Sequence, residues 1–419
     1  MARTLSWSPA LPPGSLVRME KEVFEVVLKN SFNDSKIKRI IEIKSEPALP
    51  KGENYASTIL RITAKVVLGN GRTATKSFIG KKENTGEAAS QIRNDLGLFN
   101  LEISVYTNIL REMDYLMEEF GDTEGPLWCQ FIHYHQSDST IILENLKASG
   151  FTTVNRTEGQ NLDQARLVLR SLGRFHAMAK VLEDRGLLSK DDYKPYPMIH
   201  DDVYIRNTSY GGIQALIKGM REGWGEEWAE YANKLSKVRF QEYSKMVKES
   251  GNFDDNTFKC LNHGDCWNNN MMFKNNWEGR PIELRFVDFQ VPHYNSPCVD
   301  VTYFLYTSIK PNIRLQNYKS LIELYHESLT SSLDRFGYKG QKPSLEEINN
   351  SMERLKFFGL TFFTACVPCV VTARTDALDL DLIFKTNGEE GFNIRVYYED
   401  GIIEKMEEDL KALVKVIES

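Results

Sequence analysis

The chain has 419 residues, of which 41% are hydrophobic, and this length is enough for about two to three hydrophobic cores. Its net charge of −6 and pI near 5.8 argue against nucleic acid as a partner, because nucleic-acid-binding domains usually carry a basic surface. The longest apolar stretch, 357–373, is interrupted by glycine, threonine and proline, and it is shorter than the roughly 18 to 20 apolar residues of a membrane-spanning helix.

The N-terminus and the cysteines indicate the compartment. Prolines and a tryptophan stand before position 15, where a secretory signal needs an unbroken apolar core, so no signal is expected. Six cysteines are too few and too irregularly spaced for a disulfide framework. Cys366 and Cys369 form a Cys-x-x-Cys pair, but their apolar flanks favour packing over redox or zinc chemistry. We expect a reducing, cytoplasmic setting and no membrane partner.

The N-terminal third predicts a helix and then a group of strands. The helix is expected over 16–29, and the strands over 37–44, 57–67 and 74–81. The loop between the first two strands contains Gly52 and ends at Ser57. Backbone N–H groups of such a loop, together with the Ser57 hydroxyl, are suited to nucleotide phosphates, although an ordinary β-turn is an equal alternative.

Two lysines end the third strand, and one of them is predicted to contact the phosphates of a nucleotide. Lys81 is preferred, with Lys82 as the alternative, and two solvated lysines are the commoner situation at a strand end. A phosphate-contacting lysine needs an acid from the next helix to hold its ammonium group. Apolar spacing predicts that helix over 96–117, and Glu102 is the chosen partner.

A short apolar strand, 140–143, leads into a polar connector. Such a connector offers backbone N–H and C=O groups to an adenine edge, so we predict a nucleotide-contacting hinge at 144–147, including Glu144 and Leu146. A helix is predicted next, over 162–182, in which His176 is interpreted as a satisfied core histidine rather than a catalytic one.

About eighty residues separate that helix from the next motif, more than a direct connection requires. Large aromatic residues recur at helical spacing in this segment, which predicts a helical insert at about 185–255. We expect most of these rings to pack the insert. A few are expected to line a pocket for an apolar acceptor, because flat rings stack on steroids and other ring systems.

The most informative segment is 263–270, His-Gly-Asp-Cys-Trp-Asn-Asn-Asn. In phosphoryl transfer an aspartate orients the hydroxyl or accepts its proton, while an asparagine and a second aspartate hold the metal on the phosphates. Asp265, Asn270 and Asp288 fit these three roles. A hairpin with strands at 271–273 and 283–287 delivers the last of them. Each residue alone more often belongs to a hydrogen-bonded turn or a helix cap, but their order together favours the chemistry.

The segment after the hairpin is short. Only nine residues lie between Gln290 and Asp300, which leaves no room for the activation loop on which protein kinases seat a peptide, so no protein substrate is expected. Asp300 is expected to be a structural acid that accepts backbone N–H groups of the catalytic loop. Further on, 357–373 predicts a buried helix, and apolar spacing over 399–417 predicts a C-terminal helix that packs on the larger lobe.

These motifs together resemble the ecdysteroid kinase-like family of arthropods, also described as choline-kinase-like, in the aminoglycoside phosphotransferase and choline kinase branch of the kinase fold. The resemblance covers about residues 50–305. The matching segments are 52–57, 77–81, 99–106, 143–146, 172–176, 263–270 and 288–290. Gly80 and Lys82 depart from the pattern, because a larger apolar residue usually precedes the lysine.

The resemblance implies an α+β, two-lobed, protein-kinase-like fold with a small β-rich N-lobe and a large, mostly helical C-lobe that holds a helical substrate-binding insert. An N-terminal helical extension is expected at 1–36, the N-lobe at 37–146 and the C-lobe at 147–419. The catalytic loop is expected at 263–270 and the metal-binding segment at 288–290.

Residue by residue, the resemblance implies that Asp265 is the catalytic base and that Asn270 and Asp288 are metal ligands. It also implies that Lys81 contacts the phosphates and that Glu102 is its ion-pair partner.

The expected activity is ATP-dependent phosphorylation of a hydroxyl group on a small organic molecule, with Mg²⁺ bridging the phosphates. The resemblance suggests an ecdysteroid or a dietary or xenobiotic alcohol as the acceptor, with choline-like amines as an alternative. The competing interpretation is a catalytically inactive kinase-fold protein that sequesters a ligand. Such proteins usually lack a base or metal residue, and this chain keeps all three.

Overall fold

The computed structural model of the chain describes residues 21–31, 37–48, 57–83, 97–372, 374–399 and 401–418. The chain divides into two compact units. The sheet unit comprises Met1–Asn84 and Gln130–Ala148, and the helical unit comprises Thr85–Cys129 and Ser149–Ser419. The predicted α+β class is confirmed, because the first unit is built on an antiparallel sheet and the second is mostly helical.

The sheet unit contains one described helix and five strands in the order β1-β2-β3-β5-β4, with every neighbouring pair antiparallel. Its elements are α1 (Lys21–Ser31), β1 (Ile37–Pro47), β2 (Ser57–Leu68), β3 (Thr73–Glu83), β4 (Phe131–His135) and β5 (Thr140–Glu144). The predicted strands are confirmed, each slightly longer than expected. The predicted start of the first helix and the loop that contains Gly52 lie outside the described residues.

Strand β2 shows why the sheet has one covered face. Alternate residues of this strand, among them Ile62, Ala64 and Val66, are buried, as expected for a sheet with a core on one side. Phe24 and Leu28 of α1 belong to the same buried cluster, and the ring of Phe24 meets Phe78 edge to face at 5.4 Å. The core of this unit therefore lies between α1 and the sheet.

The helical unit contains fifteen short or long α-helices and five β-strands within its described residues, beginning at Leu98. The helices up to the catalytic loop are α2 (Leu98–Ser104), α3 (Leu110–Glu119), α4 (Leu162–Asp184), α5 (Pro197–His200), α6 (Asp202–Ile205), α7 (Gly211–Gly223), α8 (Ala229–Ser236) and α9 (Phe240–Gly251). The strands are β6 (Thr152–Thr153), β7 (Cys260–Asn262), β8 (Met271–Asn275), β9 (Pro281–Phe286) and β10 (His293–Asn295). The later helices are α10 (Cys298–Thr307), α11 (Pro311–Arg335), α12 (Leu345–Arg354), α13 (Lys356–Ala365), α14 (Val367–Val371), α15 (Leu380–Lys385) and α16 (Ile402–Glu418).

Two small sheets and one long helix position the catalytic loop. β7 pairs with β10, β8 forms a hairpin with β9, and the loop connects β7 to β8. Helix α4 begins at a capping box formed by Asn161 and Gln164, and its buried face packs against α11 and β9. The predicted hairpin and the predicted helix are therefore confirmed.

The apolar stretch 357–373 forms two helices rather than the single buried helix that the sequence predicts. Helix α13 ends at Ala365 with Cys366 as its C-cap, and Pro368 lies in the first turn of α14, where its missing N–H group leaves no bond back to α13. Both helices are largely buried. Among the described residues, no helix is long and apolar enough to cross a membrane.

The C-terminal helix α16 is confirmed and packs on α13 through Met406, Leu410 and Leu413, which are buried. A buried ion pair adds to this contact, since Arg314 of α11 donates to Asp409 of α16 at 2.5 Å. Both side chains are at most 4% exposed. Loss of one partner would leave a buried charge uncompensated.

We predict that Asp409→Ala lowers the free energy of unfolding by about 3–5 kcal/mol, because it leaves the Arg314 guanidinium buried without a carboxylate. The matched control is Glu408→Ala, which removes an exposed carboxylate from the same helix turn and should cost less than about 0.5 kcal/mol. Urea denaturation followed by circular dichroism measures both. Equal effects of the two substitutions would contradict the prediction.

Candidate active site

A buried carboxylate on α10 holds the backbone of the catalytic loop. Asp300 accepts the N–H of His263 at 2.6 Å and the N–H of Gly264 at 2.9 Å, and it lies 3.1 Å from Nε2 of His176. Burial alone would raise the pKa of Asp300, but the hydrogen bond with His176 and the neighbouring histidines outweigh it and lower that pKa to about 2. The carboxylate is therefore ionised at neutral pH, as the structural role expected for Asp300 requires.

The predicted role of His176 is also confirmed. Its side chain is fully buried, with Nδ1 3.0 Å from the hydroxyl of Tyr325 and Nε2 directed at Asp300. Both ring nitrogens thus have partners, as expected of a satisfied core histidine. Its function is to support Asp300, which in turn supports the loop.

Gly264 is required by close packing on the opposite side of the loop. Its φ is +86°, and a Cβ atom at this position would lie 1.9 Å from the carbonyl oxygen of Val291. The carbonyl oxygen of Gly264 accepts the hydroxyl of Tyr196 at 2.7 Å, and the Tyr196 ring stacks on His293 at 4.1 Å. The loop is therefore fixed from both sides.

His263 links the loop to the end of the hairpin. Its Nε2 lies 3.2 Å from the carbonyl oxygen of Val287, and its Nδ1 accepts the N–H of Asp265 at 3.2 Å. Burial lowers the pKa of His263, so the neutral ring with its proton on Nε2 satisfies both contacts. The ring also packs against Phe289 at 4.5 Å. His263 thus connects Asp265 to the segment that carries Asp288 through one hydrogen bond at each ring nitrogen.

Asp265 lies between two hydrogen-bond donors. Nδ2 of Asn270 donates to its Oδ2 at 2.7 Å, and the hydroxyl of Tyr303 donates to its Oδ1 at 3.1 Å. Burial, followed by the negative charge of Asp288, raises the pKa of Asp265 to about 7, although these two hydrogen bonds oppose the shift. Asp265 is thus poised to titrate near neutral pH, the property expected of a proton acceptor.

Asp288 follows β9 in an unusual backbone conformation. Its φ is +69°, in the left-handed region that residues other than glycine rarely adopt. The flanking backbone holds this conformation, because the N–H of Val287 donates to the carbonyl oxygen of Asn270 at 3.0 Å. Such strained positions cluster at functional sites. Asp288 is close enough to Asp265 for its negative charge to raise the pKa of Asp265.

The donor set fits a divalent cation. Two carboxylates of like charge lie near each other, and a cation between or beside them would relieve their repulsion. Asn270 uses its amide nitrogen on Asp265, which leaves the amide oxygen as a ligand. Amide and carboxylate oxygens are the ligands that Mg²⁺ prefers. Asn270 and Asp288 are therefore suited to the metal-binding role that the sequence predicts.

The nucleotide-binding residues predicted in the sheet unit lie on or beside its strands. Lys81 of β3 is 4% exposed, whereas Lys82 is more exposed, so Lys81 is the more buried of the two lysines. The side chain of Ile62 explains why a glycine precedes Lys81, because a Cβ atom at position 80 would lie 3.0 Å from Cδ1 of Ile62. A larger residue before the lysine would require the Ile62 side chain to move.

Ser57 begins β2 and is buried, and its hydroxyl has no hydrogen-bond partner within the described part of the chain. Glu144 ends β5, where its backbone N–H donates to the carbonyl oxygen of Gln130 at 2.9 Å, and Leu146 is buried. The connector is tied to β3 by Asn145, whose amide donates to Ser77 at 2.8 Å. Gly52 lies outside the described residues.

Glu102 is fully buried in α2, in the helical unit. The helix predicted over 96–117 is interrupted directly after this position by a π-helical turn, Val105–Ile109, before α3 begins. Apolar spacing did not reveal this turn, because π-helical turns are rare, occupy a single turn and lie inside otherwise α-helical segments. Tyr106 in the π-helical turn is buried, and its ring meets Phe289 edge to face at 5.6 Å.

Most rings of the predicted insert pack against one another, as expected. Tyr210 contacts the rings of Phe240 and Tyr243 at 5.4 and 5.3 Å, and Trp224 meets Trp228 edge to face at 5.0 Å. Tyr196 is an exception, because it supports the catalytic loop through its hydroxyl. Its position before α5 gave no signal of that role.

Tyr303 is the site residue that the sequence did not reveal. It lies in α10, one turn after Asp300, in a run of apolar residues that is typical of a core helix. Its ring meets Phe362 of α13 edge to face at 5.2 Å, which directs the hydroxyl towards Asp265. One helix thus holds both the backbone and the central acid of the loop.

Comparison with known proteins adds a family match. The model of the ecdysteroid kinase-like family matches residues 51–338. No curated protein matches the chain. Among solved structures, the amicoumacin kinase hAmiN, in complex with AMP-PNP, Ca²⁺ and Ami, is 14% identical, and the alignment covers 90% of this chain and 99% of that one. The TM-score between the two structures is 0.32.

We predict that Gly264→Ala destabilises the protein far more than its backbone conformation alone requires, because the added methyl group meets the carbonyl oxygen of Val291. The matched control is Gly279→Ala in the β8–β9 turn, where φ is +80° and no atom lies within 4 Å of the new Cβ. The control should cost about 1–2 kcal/mol. Thermal and urea unfolding measure both variants, and an equal loss of stability would show that the loop has room at Gly264.

Proposed function

The chain belongs to the ecdysteroid kinase-like family, and we propose that it transfers the γ-phosphoryl group of ATP to a hydroxyl group of a small organic molecule. The observation that carries this proposal is the placement of Asp265, held by Asn270 and Tyr303 beside Asp288. A proton acceptor and an oxygen-rich metal site lie together, as phosphoryl transfer requires.

Asp265 is the proposed base. Its two hydrogen bonds fix the direction of its carboxylate, so that an acceptor hydroxyl in its reach is oriented for attack and passes its proton to Asp265. The two donors also keep the carboxylate of Asp265 from rotating. The free-energy cost of orienting this carboxylate therefore arises during folding and not during the reaction.

Asn270 and Asp288 are the proposed ligands of a divalent cation, most simply Mg²⁺. When bound, the cation neutralises charge on the phosphates and aligns the γ-phosphoryl group. In the same proposal Lys81, Glu102, Gly52, Ser57, Glu144 and Leu146 serve nucleotide binding, and family membership supports these roles. The burial of Lys81 and the unpaired hydroxyl of Ser57 among the described residues agree with them.

The proposed acceptor is an ecdysteroid or a dietary or xenobiotic alcohol. The family supports the first, and the short segment between Gln290 and Asp300 supports a small molecule over a peptide. The test is incubation with ATP and Mg²⁺ over a panel of ecdysteroids, plant alcohols, choline and ethanolamine, with product masses measured. A phosphoryl mass gain on one class supports the proposal. ATP binding without any product across a broad panel would favour a sequestering protein.

We predict that Asp265→Asn lowers kcat by about 10²–10⁴-fold, because the amide cannot accept the hydroxyl proton. Its Kd for Mg-ATP should stay within about threefold of wild type, since Asp265 is not a proposed ligand of the metal. Asp288→Asn should instead weaken Mg-ATP binding itself. Isothermal titration and initial rates separate the two effects. Near-normal turnover of Asp265→Asn would refute its role, and unchanged Mg-ATP affinity of Asp288→Asn would refute that of Asp288.

We predict that Tyr303→Phe moves the acid limb of kcat/KM for ATP to higher pH. Ionised Asp265 is the active form, and the Tyr303 hydrogen bond lowers a pKa that stands at about 7, so its loss raises that pKa and leaves less of the active form at neutral pH. Activity should recover as the pH rises. Tyr318→Phe, which removes a hydroxyl from α11, is the control. An unshifted limb in Tyr303→Phe would show that the hydroxyl does not act on Asp265.

A further inference from the structure

A cleft of about 370 Å³ lies within the helical unit and adjoins the catalytic loop at Asn268. We propose that this cleft binds the acceptor and selects apolar, hydroxyl-bearing molecules that also carry a carboxylate or a similar anionic group. Among the proposed acceptors this favours anionic dietary or xenobiotic alcohols over ecdysteroids, which are uncharged. The inference rests on the proposed function for the transfer step, but the selectivity of the cleft is testable without turnover. Its volume lies within the range of small-molecule sites.

Two connections relate the cleft to Asp265. Asn268 follows Asp265 by three residues in the loop, and its side chain is fixed because Oδ1 accepts Nε2 of Gln160 at 3.0 Å. Thr307, which also lines the cleft, donates its hydroxyl to the carbonyl oxygen of Tyr303 at 2.7 Å, one turn away on α10. The same helix therefore positions the base and forms a wall of the cleft.

The floor of the cleft is apolar. It is formed by side chains of α13, α14 and the C-terminal helix α16. These residues are Phe363, Val367, Pro368, Val371, Ile402 and Met406. Such a floor suits a ring system or a hydrocarbon body, because burial of apolar surface supplies most of the affinity of small-molecule sites.

The charged lining of the cleft is mostly cationic. Arg156, Lys310 and Lys405 line it, against the single acid Glu158, although the whole chain carries a net charge of −6. Cations around an apolar floor attract an anionic group, and guanidinium and ammonium groups pair well with carboxylates. This local excess of positive charge is the feature that selects the anion.

A larger cavity of about 970 Å³ in the same unit lacks such a bias. Its lining includes four lysines, at 180, 190, 259 and 342, and four acids, at 183, 191, 255 and 347, so the formal charges cancel. Mixed charge of this kind does not discriminate between anionic and cationic ligands. The smaller cleft is therefore the one whose chemistry indicates a substrate class. None of its lining residues belongs to the insert at 185–255, so this inference departs from the expectation that rings of the insert line the acceptor pocket.

The aromatic lining also argues against a cationic acceptor. The guanidinium of Arg314 stacks on the rings of Tyr306 and Phe363, at 4.3 and 5.3 Å from their centroids, and both rings line the cleft. These rings already engage a cation, so an ammonium ligand would have to share them. Asp409 balances the charge of Arg314. The net charge of the cleft is therefore set by the charged residues that line it, which we call its rim: Arg156, Glu158, Lys310 and Lys405.

The first test compares three probes that share a phenol but differ in charge: p-coumaric acid, its methyl ester and tyramine. Direct binding to the full-length protein is measured by isothermal titration, and phosphorylation is measured separately with ATP and Mg²⁺. Lithocholic acid and its methyl ester repeat the comparison with a larger apolar body. We expect each carboxylate to bind about tenfold more tightly than its ester, and tyramine to bind weakest.

The second test removes two of the positive charges that line the cleft, those of Lys310 and Lys405. The double variant Lys310→Gln with Lys405→Gln should weaken binding of the carboxylates about tenfold or more and leave the esters within about twofold. The backbone N–H of Lys310, which donates to Gln160, is kept in this variant. The matched control is Lys319→Gln with Lys415→Gln, which removes exposed lysines from the same two helical regions without altering the cleft. Neither variant should change the KM for ATP.

The outcomes separate this inference from the proposed function. Preference for the carboxylates that the rim variant abolishes, with phosphorylation of the bound acid, supports both. The same preference without any phosphoryl transfer keeps the cleft but counts against the kinase activity. Equal binding of acid and ester, tighter binding of tyramine, or equal effects of the rim and control variants would overturn the inference, even if other alcohols are phosphorylated.

Discussion

The buried carboxylate of Asp300 is the interaction on which the site depends. It accepts two successive backbone N–H groups of the catalytic loop, and His176 and Tyr325 support it from the core. A carboxylate that receives several donors in a buried setting stays ionised and fixes its partners firmly. The loop backbone is therefore set by the core of the helical unit, and Gly264 is the residue that lets it pass close to Val291.

Helix α10 extends this control from the backbone to the chemistry. Asp300 and Tyr303 lie one turn apart and therefore face the same side of the helix, where the first holds the loop and the second holds Asp265. Thr307 continues the same face to the lining of the small cleft. A single rigid element thus relates the loop, the base and the site in which we place the acceptor, which limits how far these groups can move apart.

Local patterns predicted much of this fold, and long-range contacts account for the rest. Alternation in β2 and helical spacing in α4 are local signals, and the order of Asp265, Asn270 and Asp288 is a motif, so all could be recognised without the structure. Tyr303 could not, because its partner lies 38 residues away and its apolar neighbours suggest a core position. The sequence did not predict the break between α13 and α14, because the apolar composition of this stretch favours a single buried helix although Pro368 lies within it.

The central claim is that a phosphoryl group passes from ATP to a hydroxyl group, and an oxygen-18 experiment tests it most directly. Wild-type protein is incubated with Mg²⁺, ATP labelled with oxygen-18 in its γ-phosphoryl group, and an acceptor that binds. Mass spectrometry then follows the label. We predict that the acceptor gains one intact labelled phosphoryl group. Label found only in inorganic phosphate, with the acceptor unchanged, would mean that water is the true acceptor and would contradict the account.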